Sequence, residues 1–522
     1  MIVINSAAYV VSEFRTEFGS IPPCVMPIGN RKLIEYQVAK LRETFQEKIV
    51  VSFPEKYELT FDEVSLLEQL DVTIAKVPER FSLGEAVLYV INTVGEPTEP
   101  LRLLHGDTFL EMIPPGLDLI AVAATEDDYL WETEQTGTGY EIVWCGYFSF
   151  SSPQIFTRAL ALNSGDFVKS VRAYGEVNSL AVQKIEGWHD LGHVNTYFQS
   201  RSLITTQRVF NSLKISDGLV WKSGTPTEKI KAEANWYKSI PAALKKYTPQ
   251  LIDDGFDEDI QAYFYRLEYL PLSPLNEVFV HGKNPDFFWK RVFRLMAGFL
   301  RDARMSSDFD GGLNESLIRE DSHQLYEIKT NQRLAEYASA NNYDLSMPAY
   351  YGNTILPSIQ DIANICIQLT LKQPVISSIL HGDFCFSNVL YDSRAVSLKL
   401  IDPRGLNYLM QPTIRGDQRY DLAKICHSVI GLYDFIIAGR YRLKTDNRGP
   451  VIEFNVDDRL SKIQQLFLET SFIDEFSVMD VMPLTVLLFL SMLPLHADRP
   501  DRQQAMLANA LRLYATFIHK EI

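Results

Sequence analysis

HGDFCFSNVLYDSRAVSLKLIDPRG, which runs from His381 to Gly405, is the stretch that decides the fold. It places Asp383, Asn388 and Asp402 around two β-rich runs, NVLYD and SLKLID, which the turn residues DSRA separate. The runs predict a hairpin that brings Asn388 and Asp402 to neighbouring strand ends. Converging carboxylate and amide oxygens suit phosphoryl transfer, in which a base receives a hydroxyl proton and Mg²⁺ ions are held against a triphosphate. Each residue alone also fits a structural role in a turn or a local cap.

A known family carries the same signature. His381-Gly382-Asp383 with Asn388, followed by Ile401-Asp402 at a strand end, resembles the protein-kinase-like small-molecule phosphotransferases, the family of aminoglycoside phosphotransferases, choline kinases and sugar 1-kinases. The resemblance implies that Asp383 is the catalytic base, that Asn388 and Asp402 are metal ligands, and that the cofactors are ATP and Mg²⁺. GDQRYDLA, at 416–423, resembles the family's G-D-P-x-x-D-L-A segment, so Asp421 is expected to brace the catalytic loop.

A lysine and a glutamate upstream are expected to complete the catalytic group. NSLKIS, a turn at Asp217-Gly218 and LVWKSG predict a hairpin, and Pro226 to Tyr237 predicts a helix. By the same resemblance, Lys222 on the strand and Glu233 on the helix form the ion pair that clamps the ATP phosphates. A surface lysine and a solvated glutamate are the structural alternative.

The segment YFYRLEYLPLSPL, at 263–275, resembles the last strand of the family's N-lobe and its hinge. Backbone groups at Glu268 to Leu270 are therefore expected to bind the adenine edge. No glycine-rich loop precedes Lys222, so the phosphate cover is expected to be irregular or to lie in FNSLK.

Strand-like and helix-like pieces alternate through the first two hundred residues, which predicts an α/β domain with a mainly parallel sheet. The pieces, in order, are MIVIN, LIEYQVAKLRETF, KIVVSF, FDEVSLLEQL, VTIAKV, SLGEAVLYVINTV and LRLLHGD. The last is a strand that ends on Asp107. A ligand site is expected at the carboxyl ends of such strands.

Four pieces of this half resemble the sugar nucleotidyltransferases, the GT-A-like enzymes that join a sugar phosphate to a nucleoside triphosphate and release pyrophosphate. They are Met26-Pro27-Ile28-Gly29-Asn30 with Leu33-Ile34, Gly84-Glu85-Ala86, Leu104-His105-Gly106-Asp107, and Trp188-His189-Asp190-Leu191-Gly192. The resemblance implies that Asp107 and Asp190 hold a catalytic Mg²⁺ and that Arg15 binds the nucleoside triphosphate. The family's glycine-rich phosphate loop and its Pro-Lys pair have no counterpart in SAAYVVSEFRTEFGSIPPCVMP, at 6–27.

The length and composition of the chain limit the number of domains and the classes of function that fit it. A chain of 522 residues suggests two or three domains, and a net charge of −16 argues against a general nucleic-acid binder. The five cysteines are scattered without CxxC spacing, which favours a reducing cytoplasm over a disulfide framework. The start of the chain has no basic n-region, and the apolar run Val481 to Leu495 is too short to span a bilayer, which takes roughly 20 helical residues, so no membrane segment is predicted.

The predicted fold is α/β, with a GT-A-like nucleotidyltransferase domain at 1–205 and a bilobal protein-kinase-like phosphotransferase domain at 206–522, divided into an N-lobe at 206–272 and a C-lobe at 273–522. The predicted function is bifunctional: ATP-dependent phosphorylation of a small hydroxyl compound, expected to be a sugar, then nucleotidyl transfer onto the product for polysaccharide synthesis or salvage. Three alternatives remain open: a kinase with a catalytically silent N-terminal binding module, a choline-type kinase with a cytidylyltransferase, and a non-catalytic pseudokinase scaffold.

Overall fold

The computed structural model describes residues 1–95, 100–127, 129–134, 142–206, 213–308, 315–446, 449–474 and 476–519. The chain forms two compact units. The first comprises Met1–Thr205 with His281–Lys283, and the second comprises Thr206–Val280 and Asn284–Ile522.

The first unit is a mixed α/β structure. Its helices in the described residues are α1 (Ser12–Phe18), α2 (Leu33–Thr44), α3 (Phe61–Gln69), α4 (Leu83–Val94), α5 (Pro153–Leu162), α6 (Phe167–Val177) and α7 (Val194–Thr206). Its strands there are β1 (Ile2–Asn5), β2 (Pro27–Ile28), β3 (Arg31–Lys32), β4 (Ile49–Pro54), β5 (Thr73–Val77), β6 (Leu101–His105), β7 (Thr108–Leu110), β8 (Leu119–Ala124), β9 (Thr133–Glu134), β10 (Ile142–Phe150), β11 (Ala181–Lys184) and β12 (Trp188–Asp190). The seven strand and helix pieces predicted up to Asp107 are confirmed.

The main sheet of this unit, over the described residues, has the strand order β11-β8-β10-β6-β1-β4-β5, with β9 beside β10. The strands β6, β1, β4 and β5 are mutually parallel, and β1 is wholly buried, as expected for a strand covered on both faces. β10 runs antiparallel to β6, β8 and β9, and β11 runs parallel to β8, so the other strands of this sheet all share one direction. The predicted mainly parallel sheet is therefore confirmed, with β10 as its one reversed strand over the described residues. The described residues between β8 and β10 contain no helix, whereas parallel neighbours need a crossover connection, and this accounts for the reversal.

A short two-stranded ribbon places the acidic residues of the first unit. After β6 ends at His105, the chain turns and continues as β7, which pairs antiparallel with β12 in the register Thr108 to Asp190. Asp107 immediately precedes Thr108, so this register brings Asp107 beside the end of β12.

The second unit combines small antiparallel sheets with many helices. Its strands in the described residues are β13 (Leu213–Ser216), β14 (Leu219–Ser223), β15 (Leu251–Asp257), β16 (Ala262–Glu268), β17 (Ser273–Pro274), β18 (Pro348–Tyr351), β19 (Thr354–Ser358), β20 (Ser377–Ile379), β21 (Val389–Asp392), β22 (Ser397–Leu400), β23 (Arg415–Asp417), β24 (Arg442–Asp446) and β25 (Gly449–Glu453). Its helices there are α8 (Thr227–Ser239), α9 (Leu275–His281), α10 (Asp286–Asp308), α11 (Glu315–His323), α12 (Lys329–Asn341), α13 (Ile359–Lys372), α14 (Arg419–Val429), α15 (Tyr433–Ile437), α16 (Asp458–Glu469), α17 (Met482–Met492) and α18 (Pro500–Phe517).

Two parts of this unit carry the predicted residues. The strands β13, β14, β16 and β15 form a four-stranded antiparallel sheet against which α8 packs, and Lys222 lies opposite Tyr265 in its register. β21 and β22 form the hairpin predicted at the opening stretch, with Val389 opposite Leu400. That register places Asn388 beside Ile401, whose N–H donates to the Asn388 carbonyl at 3.0 Å. Two residues of the other predicted hairpin, 211 and 212, lie outside the described residues.

The late apolar run is a core helix. Among the described residues, Met479–His496 is the one helical stretch long and apolar enough to cross a membrane, and 67% of it is buried inside the protein. Its central helix, α17, contacts α12, α13, α14 and α18. The five cysteines, which are Cys24, Cys145, Cys366, Cys385 and Cys426, are buried free thiols.

The turn that follows β22 packs directly on α8. Gly405 has φ +65°, and a Cβ there would lie 2.3 Å from the Ala232 carbonyl oxygen, next to Glu233. The absence of a side chain at Gly405 therefore lets the DPRG turn bring Asp402 close to α8.

Gly405→Ala is expected to lower the midpoint of thermal unfolding, because it adds a backbone clash to the cost of left-handed backbone. Gly439→Ala is the matched control, since Gly439 has φ +71° and nothing within 4 Å of a built Cβ. The control should lose only the conformational cost, about 1 kcal/mol. An equal or larger loss in Gly439→Ala would contradict the packing role of Gly405.

Candidate functional site

Lys222 lies between two carboxylates in the second unit. Its Nζ is 2.7 Å from Glu233 Oε2 and 3.0 Å from Asp402 Oδ1. Tyr265 donates its hydroxyl hydrogen to Glu233 Oε2 at 2.8 Å, so the glutamate is held from two sides. Lys222 and Glu233 are buried, whereas the Asp402 side chain is 47% exposed. The ammonium therefore joins a buried carboxylate on α8 to an open one at the end of β22.

Burial and the neighbouring charges shift the pKa values of Lys222 and Glu233. Burial alone would lower the pKa of Lys222, but the carboxylates of Asp402 and Glu233 outweigh burial and raise it. Burial raises the pKa of Glu233, and the Lys222 ammonium opposes that shift. Lys222 consequently remains a cation at neutral pH and is fixed in position before any ligand arrives.

Asp383 is held by an amide and a cation. Asn388 Nδ2 donates to Asp383 Oδ2 and to the Asp383 carbonyl oxygen, both at 2.9 Å, and Lys424 Nζ lies 2.8 Å from Asp383 Oδ1. Burial would raise the pKa of Asp383, but Lys424 outweighs burial and lowers the pKa to about 2. Asp383 is therefore ionised at neutral pH and can accept a hydrogen bond from a hydroxyl group.

A buried aspartate braces the backbone before Asp383. The N–H groups of His381 and Gly382 donate to the two carboxylate oxygens of Asp421, each at 2.8 Å. The His381 ring nitrogen Nε2 lies 2.9 Å from the Ile401 carbonyl oxygen, which ties this loop to the end of β22. Gly382 has φ +79°, a left-handed conformation that glycine adopts without strain. Asp421 thus has the geometry of the bracing residue that the sequence predicts.

One cavity of about 780 Å³ collects these groups. The predicted residues that line it are Lys222, Glu233, Asp383, Asn388 and Asp402. Oxygen donors of Asn388 and Asp402 are the hard ligands that Mg²⁺ prefers, and Asp402 is open enough to reach an ion. These two residues fit a Mg²⁺ ion that is also held by phosphate oxygens.

The predicted adenine-binding residues lie apart from that group. Glu268 and Leu270 are absent from the lining of the large cavity. The Glu268 N–H already donates to the Gln250 carbonyl oxygen at 3.0 Å, and its carboxylate accepts from the Gln250 N–H at 2.9 Å. The adenine-binding role of the backbone at Glu268 and Leu270 remains a prediction.

The first unit brings Asp107 and Asp190 together. Asp190 accepts from Thr196 Oγ1, and His193 Nδ1 lies 2.8 Å from Asp190 Oδ2. Burial raises the pKa of Asp107 to about 6, and the neighbouring Asp190 carboxylate adds to that shift. A Cβ built on Gly192 would lie 2.7 Å from Asp107 Oδ2, so the glycine lets the loop approach the carboxylate.

Asp107 and Asp190 are the residues of the first unit that could hold a divalent cation. Like charges in a half-buried place repel each other, and a cation relieves that repulsion. Within the described residues there is no group of three or more His, Cys, Asp or Glu side chains that could hold a metal. An ion at Asp107 and Asp190 would therefore need oxygens from a phosphate ligand as well.

Arg15 makes its described contacts with residues other than Asp107 and Asp190. It is exposed on α1, its Nε donates to the Val10 carbonyl oxygen at 3.0 Å, and its guanidinium lies 5.8 Å from the centre of the Tyr9 ring. No described contact joins Arg15 to Asp107 or Asp190, so its role in nucleotide binding stays a prediction.

Two residues near the predicted sites, Gln37 and Lys424, were not predicted from the sequence. Gln37 Nε2 donates to the carbonyl oxygens of His105, Gly106 and Thr108, at 3.1, 3.2 and 2.8 Å, and so fixes the turn that carries Asp107. Lys424 had a usable signal, since it lies three residues after Asp421 and hence on the same face of a helix. Gln37 had none, because its partners are about seventy residues away.

Comparison with known proteins yields neither a family model nor a curated relative. Solved structures match the N-terminal two-fifths. One, described as a glucose-1-phosphate thymidylyltransferase from Bacillus anthracis in complex with a sucrose, has 13% identity and a TM-score of 0.34, over 40% of this chain and 96% of that chain. A UDP-glucose pyrophosphorylase complexed with UDP-glucose has 15% identity and a TM-score of 0.31, over 40% and 98%. A nucleoside-diphosphate-sugar pyrophosphorylase from Vibrio cholerae RC9 has 12% identity and a TM-score of 0.32, over 38% and 99%. At these TM-scores none of the three carries an inference about activity.

Lys222→Met should lower the free energy of unfolding by about 3 kcal/mol, because it leaves Glu233 buried without its cation. Adding Glu233→Gln should recover part of that loss, since the amide carries no charge. Lys229→Met is the control: Lys229 Nζ lies 4.0 Å from the same glutamate but is 55% exposed. Its loss should stay below about 1 kcal/mol. Denaturant titration measures all four proteins, and equal losses for the two lysines would contradict the buried pair.

Proposed function

We propose that the second unit is a kinase that transfers the γ-phosphoryl group of ATP to a small hydroxyl compound, expected to be a sugar. The observation that carries this proposal is the convergence of Lys222, Glu233, Asp383, Asn388 and Asp402 on one cavity. A cation fixed by a buried glutamate, an ionised carboxylate and two oxygen ligands are the parts that phosphoryl transfer needs.

In the proposed reaction, Asp383 accepts a hydrogen bond from the acceptor hydroxyl and orients it toward the γ-phosphorus. The new O–P bond forms as the bond between the γ-phosphorus and the β,γ-bridging oxygen breaks, the hydroxyl proton passes to Asp383, and ADP leaves. A carboxylate with a pKa of about 2 is a weak base, so the proton moves only as the hydroxyl becomes acidic during transfer.

The cations and the metal share the phosphate charge in this proposal. Lys222 binds phosphate oxygens of ATP from its position beside Glu233. Asn388 and Asp402 would hold a Mg²⁺ ion, which would supply positive charge to the phosphate groups. Lys424 keeps Asp383 ionised, which preserves the orientation of the acceptor.

Asp383→Asn is expected to lower kcat by about 10² to 10⁴, because the amide cannot take the hydroxyl proton. ATP consumption over a panel of sugars and amino alcohols, followed by ³¹P NMR, measures the change. Asp392→Asn is the matched control: it lies at the end of β21, where it accepts the Arg394 N–H at 2.9 Å and does not line the cavity. Unchanged turnover in Asp383→Asn would contradict the kinase and favour the non-catalytic scaffold.

For the first unit we propose nucleotidyl transfer onto the phosphorylated product, which makes the chain a bifunctional enzyme of nucleotide-sugar supply for polysaccharide synthesis or salvage. The supporting observation is the proximity of Asp107, just after β6, to Asp190, at the end of β12. The coupling is chemically consistent, because the product of the second unit is the substrate of the first.

Asp107→Asn is expected to abolish pyrophosphate release from a nucleoside triphosphate and a sugar 1-phosphate, since the site loses one of its two anionic oxygen ligands. A panel that crosses the four NTPs and dTTP with sugar 1-phosphates, and that includes CTP with phosphocholine, also tests the choline-type alternative. Asp71→Asn is the control, because Asp71 is exposed and its φ of +51° suits asparagine. Absence of pyrophosphate with every pair would contradict nucleotidyl transfer and favour a silent binding module, leaving the kinase intact.

A further inference from the structure

Four cationic side chains other than Lys222 and Lys229 line the large cavity in the second unit. They are Lys329, Arg333, Arg404 and Lys424, referred to below as the cationic wall. Lys329 and Arg333 lie one turn apart on α12 and so share a face of that helix. Arg404 and Lys424 both lie against the Tyr420 ring, at 5.6 and 5.9 Å from its centre.

Most of this wall has no counter-charge. Lys424 is paired with Asp383, but no carboxylate in the described part of the chain lies within 4.0 Å of Lys329, Arg333 or Arg404. Arg333 donates to the Ser491 carbonyl oxygen at 2.8 Å, which leaves its charge uncompensated. The more distant acids that act on the wall are Asp321 on Arg404, Glu336 on Arg333 and Asp383 on Lys329.

The repulsion among these cations affects the pKa of Lys329. Burial lowers the pKa of Lys329 well below its usual range, and the charges of Arg404, Arg333 and Lys424 lower it further. Like charges gathered in a partly buried place without a counter-ion destabilise the site. A bound anion would relieve the repulsion.

The cationic wall and Lys222 contact different carboxylates of the cavity. Lys222 Nζ lies 2.7 Å from Glu233 and 3.0 Å from Asp402, whereas Lys424 of the wall lies 2.8 Å from Asp383. In the proposed kinase, the region around Lys222 binds the ATP phosphates, which leaves the wall for the other substrate.

The remaining lining of the wall suits a small organic molecule. Leu488, Met492 and Leu495 supply apolar surface, and Tyr408 and Tyr433 supply aromatic surface. Aromatic side chains alone would also suit a quaternary ammonium, but the adjacent arginines and lysines repel a cation. The charge of the wall therefore selects against choline-like acceptors.

We propose that the phosphoryl acceptor is an anionic alcohol, a hydroxyl compound that carries a carboxylate or a phosphate group, with its anion bound by Lys329, Arg333 and Arg404 and its hydroxyl directed at Asp383. This inference rests on the kinase proposed above and narrows its substrate class. The reaction balances as before: the acceptor hydroxyl loses its proton to Asp383, gains the γ-phosphoryl group, and ADP leaves.

The test compares matched acceptors that differ in charge. The panel is glycerol, glycerate, glycerol 3-phosphate and choline, with glucose, gluconate and glucose 6-phosphate as a sugar series. ATP consumption is measured for each. The anionic members should exceed their neutral partner at least tenfold in kcat/KM, and the comparison of glycerate with glycerol 3-phosphate, or of gluconate with glucose 6-phosphate, identifies the preferred anion.

Variants of the wall separate acceptor binding from ATP binding. Lys329→Gln and Arg333→Gln should each raise KM for the best anionic acceptor at least tenfold and change KM for ATP less than twofold. Arg333→Lys, which keeps the charge, should recover much of the acceptor affinity. The control is Lys462→Gln, an exposed lysine on α16 outside the cavity, which should leave both KM values unchanged.

The outcomes distinguish this inference from the function on which it rests. Turnover that favours neutral or cationic acceptors, or wall variants that raise KM for ATP instead of the acceptor, would overturn the anionic acceptor and leave the kinase standing. Absence of ATP turnover with every acceptor would overturn both.

Discussion

The Lys222 ammonium is shared between a carboxylate that water cannot reach and one that it can. Glu233 belongs to α8, Lys222 to β14 and Asp402 to the turn after β22, so one cation joins two consecutive elements to a turn that is distant from them in sequence. In a buried place each charge is costly without its partner, and this cost fixes the position of all three. The DPRG turn can approach only because Gly405 has no side chain. The geometry of the cavity follows from this one shared charge.

Positive charge is distributed unevenly in a chain whose net charge is −16. A protein with an excess of acids places six cationic side chains around one cavity: Lys222, Lys229, Lys329, Arg333, Arg404 and Lys424. Two of them, Lys222 and Lys424, are held by carboxylates within 3 Å. Such a local field attracts anions although the molecule as a whole repels them. The first unit presents the opposite case, since Asp107 and Asp190 are neighbouring carboxylates.

Sequence spacing predicted those parts of the site that depend on local structure. The hairpin β21/β22 follows from two β-rich runs and a turn, and the positions of Asp383, Asn388 and Asp402 follow from the hairpin. The pairing of Lys222 with Glu233 came from the resemblance to the protein-kinase-like phosphotransferases, because spacing alone also allowed a surface lysine and a solvated glutamate. The cationic wall could not be foreseen, because α12, α14 and the turn after β22 meet only through tertiary packing. The same limit applies to Gln37, whose side-chain amide donates to the carbonyl oxygens of His105, Gly106 and Thr108, far away in the sequence.

The five buried thiols have a practical consequence. Burial raises the pKa of Cys24, Cys145 and Cys426 to about 12, and it raises the pKa of Cys366 and Cys385 still further. Thiolates are the species that alkylating reagents attack, so at neutral pH these side chains react slowly. The native cysteines are therefore expected to react little with thiol-specific labels. A single cysteine introduced on an exposed helix face could carry a fluorophore or a spin label without prior removal of the native ones.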